Sequence, residues 1–105
     1  MRVFVDIDGT ITERQRGRSW NKDPHRLDVI TKVKELFDAG HEIILWSGST
    51  RYAQRVAADL KEDYGIEVVA AIGKPHVIVD NQQGTWSRRL KRRVILPESF
   101  VETEY

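Results

Sequence analysis

Short apolar runs alternate with amphipathic stripes along this chain, and the alternation predicts its secondary structure. Residues 2–7 form a β-branched and aromatic run that indicates a buried strand. Residues 43–46 are apolar at every position, which is typical of a central strand covered on both faces. Three further runs predict strands at residues 66–72, 76–80 and 94–96.

Stripes with a spacing of three or four residues predict two helices between these strands. The first helix is expected to begin near Asp23 and Pro24, because Asp is a good N-cap and Pro suits the first helical position. Gly40 and Gly65 supply the left-handed residues that end the two helices. The first stripe consists of Leu27, Ile30, Val33 and Phe37, and the second of Tyr52, Val56, Leu60 and Tyr64.

The order strand, helix, strand, helix, strand is typical of a parallel sheet with right-handed crossovers. We therefore expect an α/β fold, a three-layer Rossmann-like sandwich with a mostly parallel central sheet. A length of 105 residues suits a single domain that spans 1–105. The chain has no cysteine, no secretory signal at its start and no apolar run near the roughly 20 residues that cross a bilayer. We expect a cytoplasmic protein without a membrane partner.

Basic residues are spread unevenly along the chain. The net charge is +1, yet eight of the 17 Lys and Arg side chains lie in two short segments. Arg14, Arg16 and Arg18 form the first segment, and residues 88–93 contain the second. Such clusters attract anionic partners. For the second segment, contact with nucleic-acid phosphates and a solvated edge of the molecule are both open interpretations.

Polar side chains stand at the ends of the predicted strands, where parallel sheets bind their ligands. Asp6 and Asp8 close the first strand, although Asp8 followed by Gly9 is also a hairpin signal. Ser47 and Gly48 follow the second strand and lead into a helix N-terminus, whose free N–H groups suit an anion. The first two strands therefore each bring candidate chemistry to their carboxyl ends.

The fourth predicted strand adds Lys74 just before it and Asp80 at its end. Each of these residue types is common on surfaces or in turns when it stands alone. Together, three carboxylates, a hydroxyl and an ammonium would converge on one edge of the sheet. Three carboxylates repel one another unless a cation lies between them, and all-oxygen ligands favour Mg²⁺. The pattern therefore predicts Mg²⁺ as a cofactor.

Four segments contain these polar residues. They are VFVDIDGTIT at residues 3–12, ILWSGS at 44–49, GKP at 73–75 and VIVDN at 77–81. In this order they resemble the motifs of the haloacid dehalogenase-like (HAD) superfamily of phosphatases. One departure is Asn81, where many members have a second acidic residue; it bears on metal affinity rather than on the class. The stretches between the motifs are too short for an inserted cap domain, so the resemblance implies a capless HAD-like domain.

The resemblance implies a Mg²⁺-dependent phosphomonoester hydrolase that forms an aspartyl-phosphate intermediate. In this scheme Asp6 is the nucleophile and Asp8 the general acid and base. A carboxyl at position 8 favours hydrolysis, since relatives that preserve the phospho-enzyme have a threonine there. The phosphoryl group would be bound by Ser47, Gly48 and Lys74, and the Mg²⁺ by Asp6, Asp8 and Asp80.

The substrate class stays open between a sugar phosphate, a nucleotide and a nucleic-acid 3′-phosphate. Arg14, Arg16 and Arg18 follow the first motif directly, so we expect them to contact an anionic substrate. Asn81 is a further candidate contact. A capless site is open, and it admits either a large substrate or a lid from a second copy of the chain in a homo-oligomer.

Two other functions are compatible with the same fold. One is a catalytically silent HAD-fold binding module, against which the intact catalytic residues argue. The other is a phospho-receiver signalling domain, which places its phosphorylated Asp at the end of the third strand, where this chain has none. Single residues also have simpler roles open to them, because Ser49 or Thr50 can cap the second helix and Trp20 can cover the edge of the core.

Overall fold

The computed structural model of the chain describes residues 1–77, 79 and 95–105. These residues form two compact units, Met1–Lys74 and Pro75–Tyr105. Among its described residues, the second unit holds one short helix, α3 (Pro97–Glu102). The elements of the first unit are β1 (Arg2–Asp6), α1 (Leu27–Asp38), β2 (Glu42–Ser47), α2 (Thr50–Tyr64) and β3 (Ala70–Gly73).

The three strands form a parallel sheet in the order β1, β2, β3. Asp6 lies opposite Trp46, and Ser47 lies opposite Gly73, so the three strands end at nearly the same level. This parallel topology confirms the α/β class and a Rossmann-like sheet. The hairpin interpretation of Asp8 is wrong, because β1 pairs in parallel with β2, which follows it only after a helix.

Most of the buried core of the first unit lies on one face of this sheet, and Ile44 is buried on the other. Val5, Ile43 and Leu45 project from alternate strand positions into an interior that both α1 and α2 close. The helices and loops contribute Ile11, Ile30, Val33, Leu60 and Ile66. The first unit, as described, therefore has two layers. The opposite sheet face carries Phe4 and Ile72, which are 46% and 41% exposed.

Helix α1 begins later than the sequence predicts. Its N-cap is Arg26, which makes no side-chain capping hydrogen bond. The Pro24 carbonyl instead accepts a hydrogen bond from the Glu13 N–H, and the Arg26 N–H donates to the Ile11 carbonyl. The segment predicted as the first turn is therefore paired with the loop after β1, and its backbone groups are not available to a helix.

The buried face of α1 is also rotated from the predicted stripe. Leu27 is 60% exposed, and Phe37 is only half-buried. The side chains that enter the core are Val29, Ile30, Val33 and Leu36. The helix end is as predicted, because Gly40 has φ +90° and the His41 N–H returns to the Leu36 carbonyl.

Helix α2 confirms the predicted stripe and its ends. Its buried residues are Tyr52, Ala53, Val56 and Leu60. Ser49 is the N-cap, and its hydroxyl accepts a hydrogen bond from the Tyr52 N–H at 3.3 Å. Gly65 ends the helix with φ +67°, a conformation that glycine adopts without strain.

The third strand is shorter than predicted. Ile66 is a fully buried core residue before the strand, and Val69 donates its N–H to the Ile43 carbonyl just ahead of β3. In the fourth predicted strand, His76, Val77 and Val79 are exposed and are not in a strand. The other two positions of that segment, 78 and 80, lie outside the described residues.

In the last predicted strand, Ile95 and Leu96 are not in a strand, and a helix begins directly after them. Leu96 is the N-cap of α3, and Pro97 occupies its first turn, where a missing N–H costs nothing. Val94 lies outside the described residues, as do residues 84–92, for which the sequence is compatible with a short helix or an extended loop. No helix in the described part of the chain is both long enough and apolar enough to cross a membrane.

Candidate functional site

The parallel register brings Asp6, Ser47 and Lys74 to one edge of the sheet. Asp6 and Ser47 end β1 and β2, and Lys74 directly follows β3. The Lys74 N–H donates to the Ser47 carbonyl at 2.6 Å. The Lys74 Nζ lies 3.0 Å from Asp6 Oδ1 and 5.9 Å from the centre of the Trp46 ring. Two of the predicted site residues, distant in sequence, thus form an ion pair.

Asp6 is held at the mouth of a tight turn. The Ile7 carbonyl accepts hydrogen bonds from the N–H groups of the residues at positions 10, 11 and 12, which curls the chain back on itself. Gly9 has φ +78° in this turn. The turn places the Thr10 hydroxyl 3.3 Å from Asp6 Oδ2. The Asp6 side chain is 32% exposed, so its carboxylate is accessible to a substrate from solvent.

Asp8 Oδ1 accepts three hydrogen bonds. The Ser19 N–H donates at 3.2 Å and the Ser19 hydroxyl at 2.9 Å. The Tyr52 hydroxyl donates at 2.8 Å from the first turn of α2. Asp8 Oδ2 makes no hydrogen bond within the described residues. The carboxyl of Asp8 is therefore fixed from two separate elements through one of its two oxygens.

The Tyr52 hydroxyl is itself held in place. It accepts a hydrogen bond from the Trp20 N–H at 2.9 Å, and the residue is 4% exposed. Burial, together with the adjacent Asp8 carboxyl, raises the pKa of Tyr52 to about 12. The sequence assigned Tyr52 only to the core-facing stripe. The signal for its second role was the polar hydroxyl on that stripe, since a buried phenol needs a partner.

The loop from residue 13 to 18 is anchored beside Asp8 at both ends. Thr12 and Ser19 are buried, and their hydroxyl oxygens are 2.9 Å apart. The Ser19 hydroxyl also donates to Asp8, and the Thr12 hydroxyl lies 3.2 Å from the Arg14 carbonyl, so the two hydroxyls connect the loop to Asp8. The Gln15 side chain packs closely on Gly9: a Cβ atom added to Gly9 would lie 2.2 Å from the Cγ of Gln15. The basic loop therefore borders the turn that holds Asp6 and Asp8.

The three arginines of this loop point to solvent. Arg14, Arg16 and Arg18 are exposed, and Arg14 approaches Asp23 at 3.7 Å with its side chain 74% exposed. A pair so exposed holds the side chain only weakly. The loop thus carries exposed positive charge and borders the turn that holds Asp6 and Asp8, and its contact with an anionic substrate stays a prediction.

Ser47 is at the predicted place, but its hydroxyl is engaged locally. The hydroxyl donates to the Ser49 carbonyl at 2.9 Å and accepts from the Ser49 N–H at 3.0 Å, and the residue is 5% exposed. Ser49 performs the capping that was the alternative role for this segment. Phosphate binding by Ser47 and Gly48 stays a prediction.

An aromatic cluster ties the same loop to α2. The Trp20 ring stacks on the His25 ring with centroids 3.7 Å apart, and Trp20 Nε1 donates to Asp59 at 2.9 Å. His25 Nδ1 lies 2.7 Å from the Tyr64 hydroxyl, and Nε2 lies 2.8 Å from the Trp20 carbonyl. Trp20 is 3% exposed, which makes it a core residue rather than the core edge that we expected. Histidine spacing in the sequence gave no indication of this cluster.

The described oxygen donors fit Mg²⁺ in type but are incomplete. In the predicted site, Asp6 supplies a carboxylate oxygen and Asp8 its backbone carbonyl oxygen, and both are the hard ligands that Mg²⁺ prefers. Residues 1–77, 79 and 95–105 include no group of three or more His, Cys, Asp or Glu side chains that could hold a metal ion. Two of the predicted residues, Asp80 and Asn81, lie outside the described residues, as does the basic segment 88–93.

Comparison with known proteins gives a likeness in fold. No family model matches the chain, and no curated protein matches it. A crystal structure of a structural-genomics target from Vibrio cholerae is similar, with a TM-score of 0.61 and 19% sequence identity. The similarity covers 98% of this chain and 89% of that one. At this identity the likeness concerns the fold alone.

Proposed function

We propose that this chain is a Mg²⁺-dependent phosphomonoester hydrolase of the HAD type, with Asp6 as its nucleophile. The observation that carries the proposal is the ion pair between Asp6 Oδ1 and Lys74 Nζ at 3.0 Å. A phosphate dianion repels an approaching carboxylate, and a lysine beside that carboxylate offsets the repulsion. The four motif segments resembling the HAD superfamily supply the roles of the other residues.

The reaction has two steps, and the chain's own residues account for both. First, an oxygen of Asp6 bonds to phosphorus, the ester P–O bond breaks, and the leaving oxygen takes a proton from Asp8. Second, water attacks phosphorus and gives a proton to Asp8, and the bond to Asp6 breaks. Phosphate and an alcohol leave, and both carboxyl groups return to their starting states. Lys74 remains beside the reacting oxygens throughout.

Asp6, Asp8 and Asp80 are the residues that would hold Mg²⁺. When bound, the ion neutralises phosphate charge and orients the phosphoryl group. Two of these residues fit by donor type, and the third is assigned from the resemblance alone. A capless, three-layer HAD-like domain is the architecture that this assignment requires, and the two-layer unit with its parallel sheet is compatible with it.

The substrate we propose is a phosphate monoester with further negative charge, such as a nucleotide or a nucleic-acid 3′-phosphate. Its support is the exposed basic loop that borders Gly9 and Asp8. A sugar phosphate with one phosphate would gain less from three arginines. In this proposal the site is open. It accepts a large substrate directly, or a second copy of the chain covers it as a lid.

The test is hydrolysis of p-nitrophenyl phosphate with Mg²⁺ by the native chain and by Asp6→Asn. We expect turnover by the native chain and a loss of at least about 10³-fold in Asp6→Asn, because an amide is not a nucleophile. Asp38→Asn is the matched control, since Asp38 pairs with Lys34 on the surface of α1. It should retain full activity.

Two results would contradict the proposal. Equal turnover by native chain and Asp6→Asn would exclude Asp6 as nucleophile. If neither protein hydrolyses p-nitrophenyl phosphate but both still bind inorganic phosphate, the result would support the binding module.

A further inference from the structure

The Asp8 carboxyl is fixed by residues that the proposed reaction does not itself use. Its Oδ1 accepts hydrogen bonds from Ser19 and from the Tyr52 hydroxyl, which comes from 44 positions along the chain. Its Oδ2 has no partner among the described residues. A carboxylate that turns about its terminal torsion would normally exchange its two oxygens freely. Here three donors on one oxygen oppose that exchange.

The Tyr52 hydroxyl has one direction in which it can donate. It accepts the Trp20 N–H at 2.9 Å, so its single proton is left for Asp8. The residue is 4% exposed, so water does not compete easily for this bond. The ring is packed in the core stripe of α2, which fixes where its hydroxyl lies. The packing of α2 thus fixes the Tyr52 hydroxyl, and the hydroxyl in turn fixes the Asp8 carboxyl.

We propose that Tyr52 is a positioning residue that holds Asp8 by Oδ1 and leaves Oδ2 to face the reacting oxygen. The inference rests on the proposed function, in which Asp8 serves the leaving oxygen. Misplacing a reacting group by about 1 Å can cost about 10²-fold in rate. Loss of one of the three donors should therefore weaken the help that Asp8 gives, without removing it.

The experiment compares two substrates of similar shape but different leaving groups. Nitrophenolate leaves from p-nitrophenyl phosphate with little need for a proton, whereas phenolate leaves from phenyl phosphate much better with one. In Tyr52→Phe we expect kcat/KM for phenyl phosphate to fall about tenfold and that for p-nitrophenyl phosphate by less than about threefold. Asp8→Asn should give the same ordering with a larger fall.

Tyr64→Phe is the matched control. It also removes a tyrosine hydroxyl from α2, but that hydroxyl contacts His25 rather than Asp8. It should change kcat/KM for the two substrates equally. Ser19→Ala is the second variant, because it removes one hydroxyl donor from Oδ1 and keeps the Ser19 N–H donor. Ser19→Ala should also lower kcat/KM for phenyl phosphate more than for p-nitrophenyl phosphate. It keeps the test valid if Tyr52→Phe folds poorly, and urea unfolding of each variant reports whether it is folded.

The outcomes separate this inference from the proposed function. Selective loss on phenyl phosphate in Tyr52→Phe or Ser19→Ala supports the positioning role. An equal fall on both substrates in the folded variants overturns it, while the phosphatase assignment stands on native turnover and the inactivity of Asp6→Asn. Absence of turnover by the native chain on both substrates overturns the proposed function, and this inference with it.

Discussion

Asp6 and Lys74 form the contact on which the proposed chemistry depends, and each side chain is partly open to solvent. The Lys74 side chain is 46% exposed and that of Asp6 is 32% exposed. An ion pair in such a setting contributes about 0–1 kcal/mol to folding. Its value to the proposed reaction is larger, because the charge near phosphorus increases in the transition state. Stability and activity should therefore respond very differently to the loss of Lys74.

Lys74→Met tests this difference. We expect kcat/KM for p-nitrophenyl phosphate to fall about 10²-fold, because the cation beside the nucleophile is lost. The free energy of unfolding in urea should change by less than about 1 kcal/mol. Lys61→Met is the control, since Lys61 pairs with Glu67 on an exposed surface and should affect neither measurement. A large loss of stability without loss of activity would assign Lys74 to folding alone.

Residues of this site differ in how far the sequence identifies them. Asp6, Asp8 and Lys74 stand in motifs, so their residue types and strand-end positions are visible locally. The roles of Tyr52 and Ser19 are not visible locally, because each depends on a hydrogen bond from its hydroxyl to Asp8, which is distant in the sequence. Spacing along the chain contains no information on such a meeting.

At the scale of elements, α2 has two structural roles. Its buried stripe closes the core, and its first and last turns hold the loop that follows β1. Tyr64 sits in the last turn and contacts His25 at 2.7 Å. Burial raises the pKa of Tyr64, and the charge of Asp63 raises it further. The free energy of unfolding should therefore depend on pH in the alkaline range.

The sign of that dependence follows from linkage. Tyr64 ionises in the unfolded chain near its ordinary pKa of 10.0 but at higher pH in the folded chain. Its contribution to the free energy of unfolding is fully present below pH 10 and is lost as pH rises through the folded pKa. In Tyr64→Phe we expect stability to fall less steeply above pH 10 than in the native chain, measured by urea unfolding at several pH values. Parallel curves for the two proteins would contradict this.

The elements also show where local pattern is sufficient. Helix α2 starts and ends at positions set by Ser49 and Gly65, both of which act on their own backbone. Helix α1 does not start at Asp23 and Pro24, because that segment pairs with the loop after β1. Local capping rules predict a helix end only when no distant backbone competes for the same groups.

At the scale of the whole molecule, charge is concentrated beside the site. The net charge is +1, but the loop with Arg14, Arg16 and Arg18 borders the turn that carries Asp6 and Asp8, the two carboxylates of the proposed reaction. A cluster at the edge of an open site raises the local concentration of an anionic substrate. This effect acts through solvent and is screened over about 10 Å at 0.1 M salt.

Replacing all three arginines by glutamine tests the role of the loop. We expect KM for a 3′-phosphorylated oligonucleotide to rise about tenfold at low salt, with kcat nearly unchanged, and the difference to shrink as salt is added. The control replaces Lys34, Arg55 and Lys61 by glutamine, which changes net charge equally on helix surfaces away from this loop. An unchanged KM in the arginine variant would exclude substrate contact by this loop.

The sequence by itself determined the order of elements from β1 to β3, the parallel α/β class and the strand ends at which Asp6 and Ser47 stand. These follow from hydrophobic periodicity and from capping, which act over a few residues. The tertiary structure decided which side chains meet: Lys74 with Asp6, Tyr52 with Asp8, and the loop after β1 with α2. Such contacts depend on strand register and on packing between segments far apart in the chain, and these are settled only when the core closes.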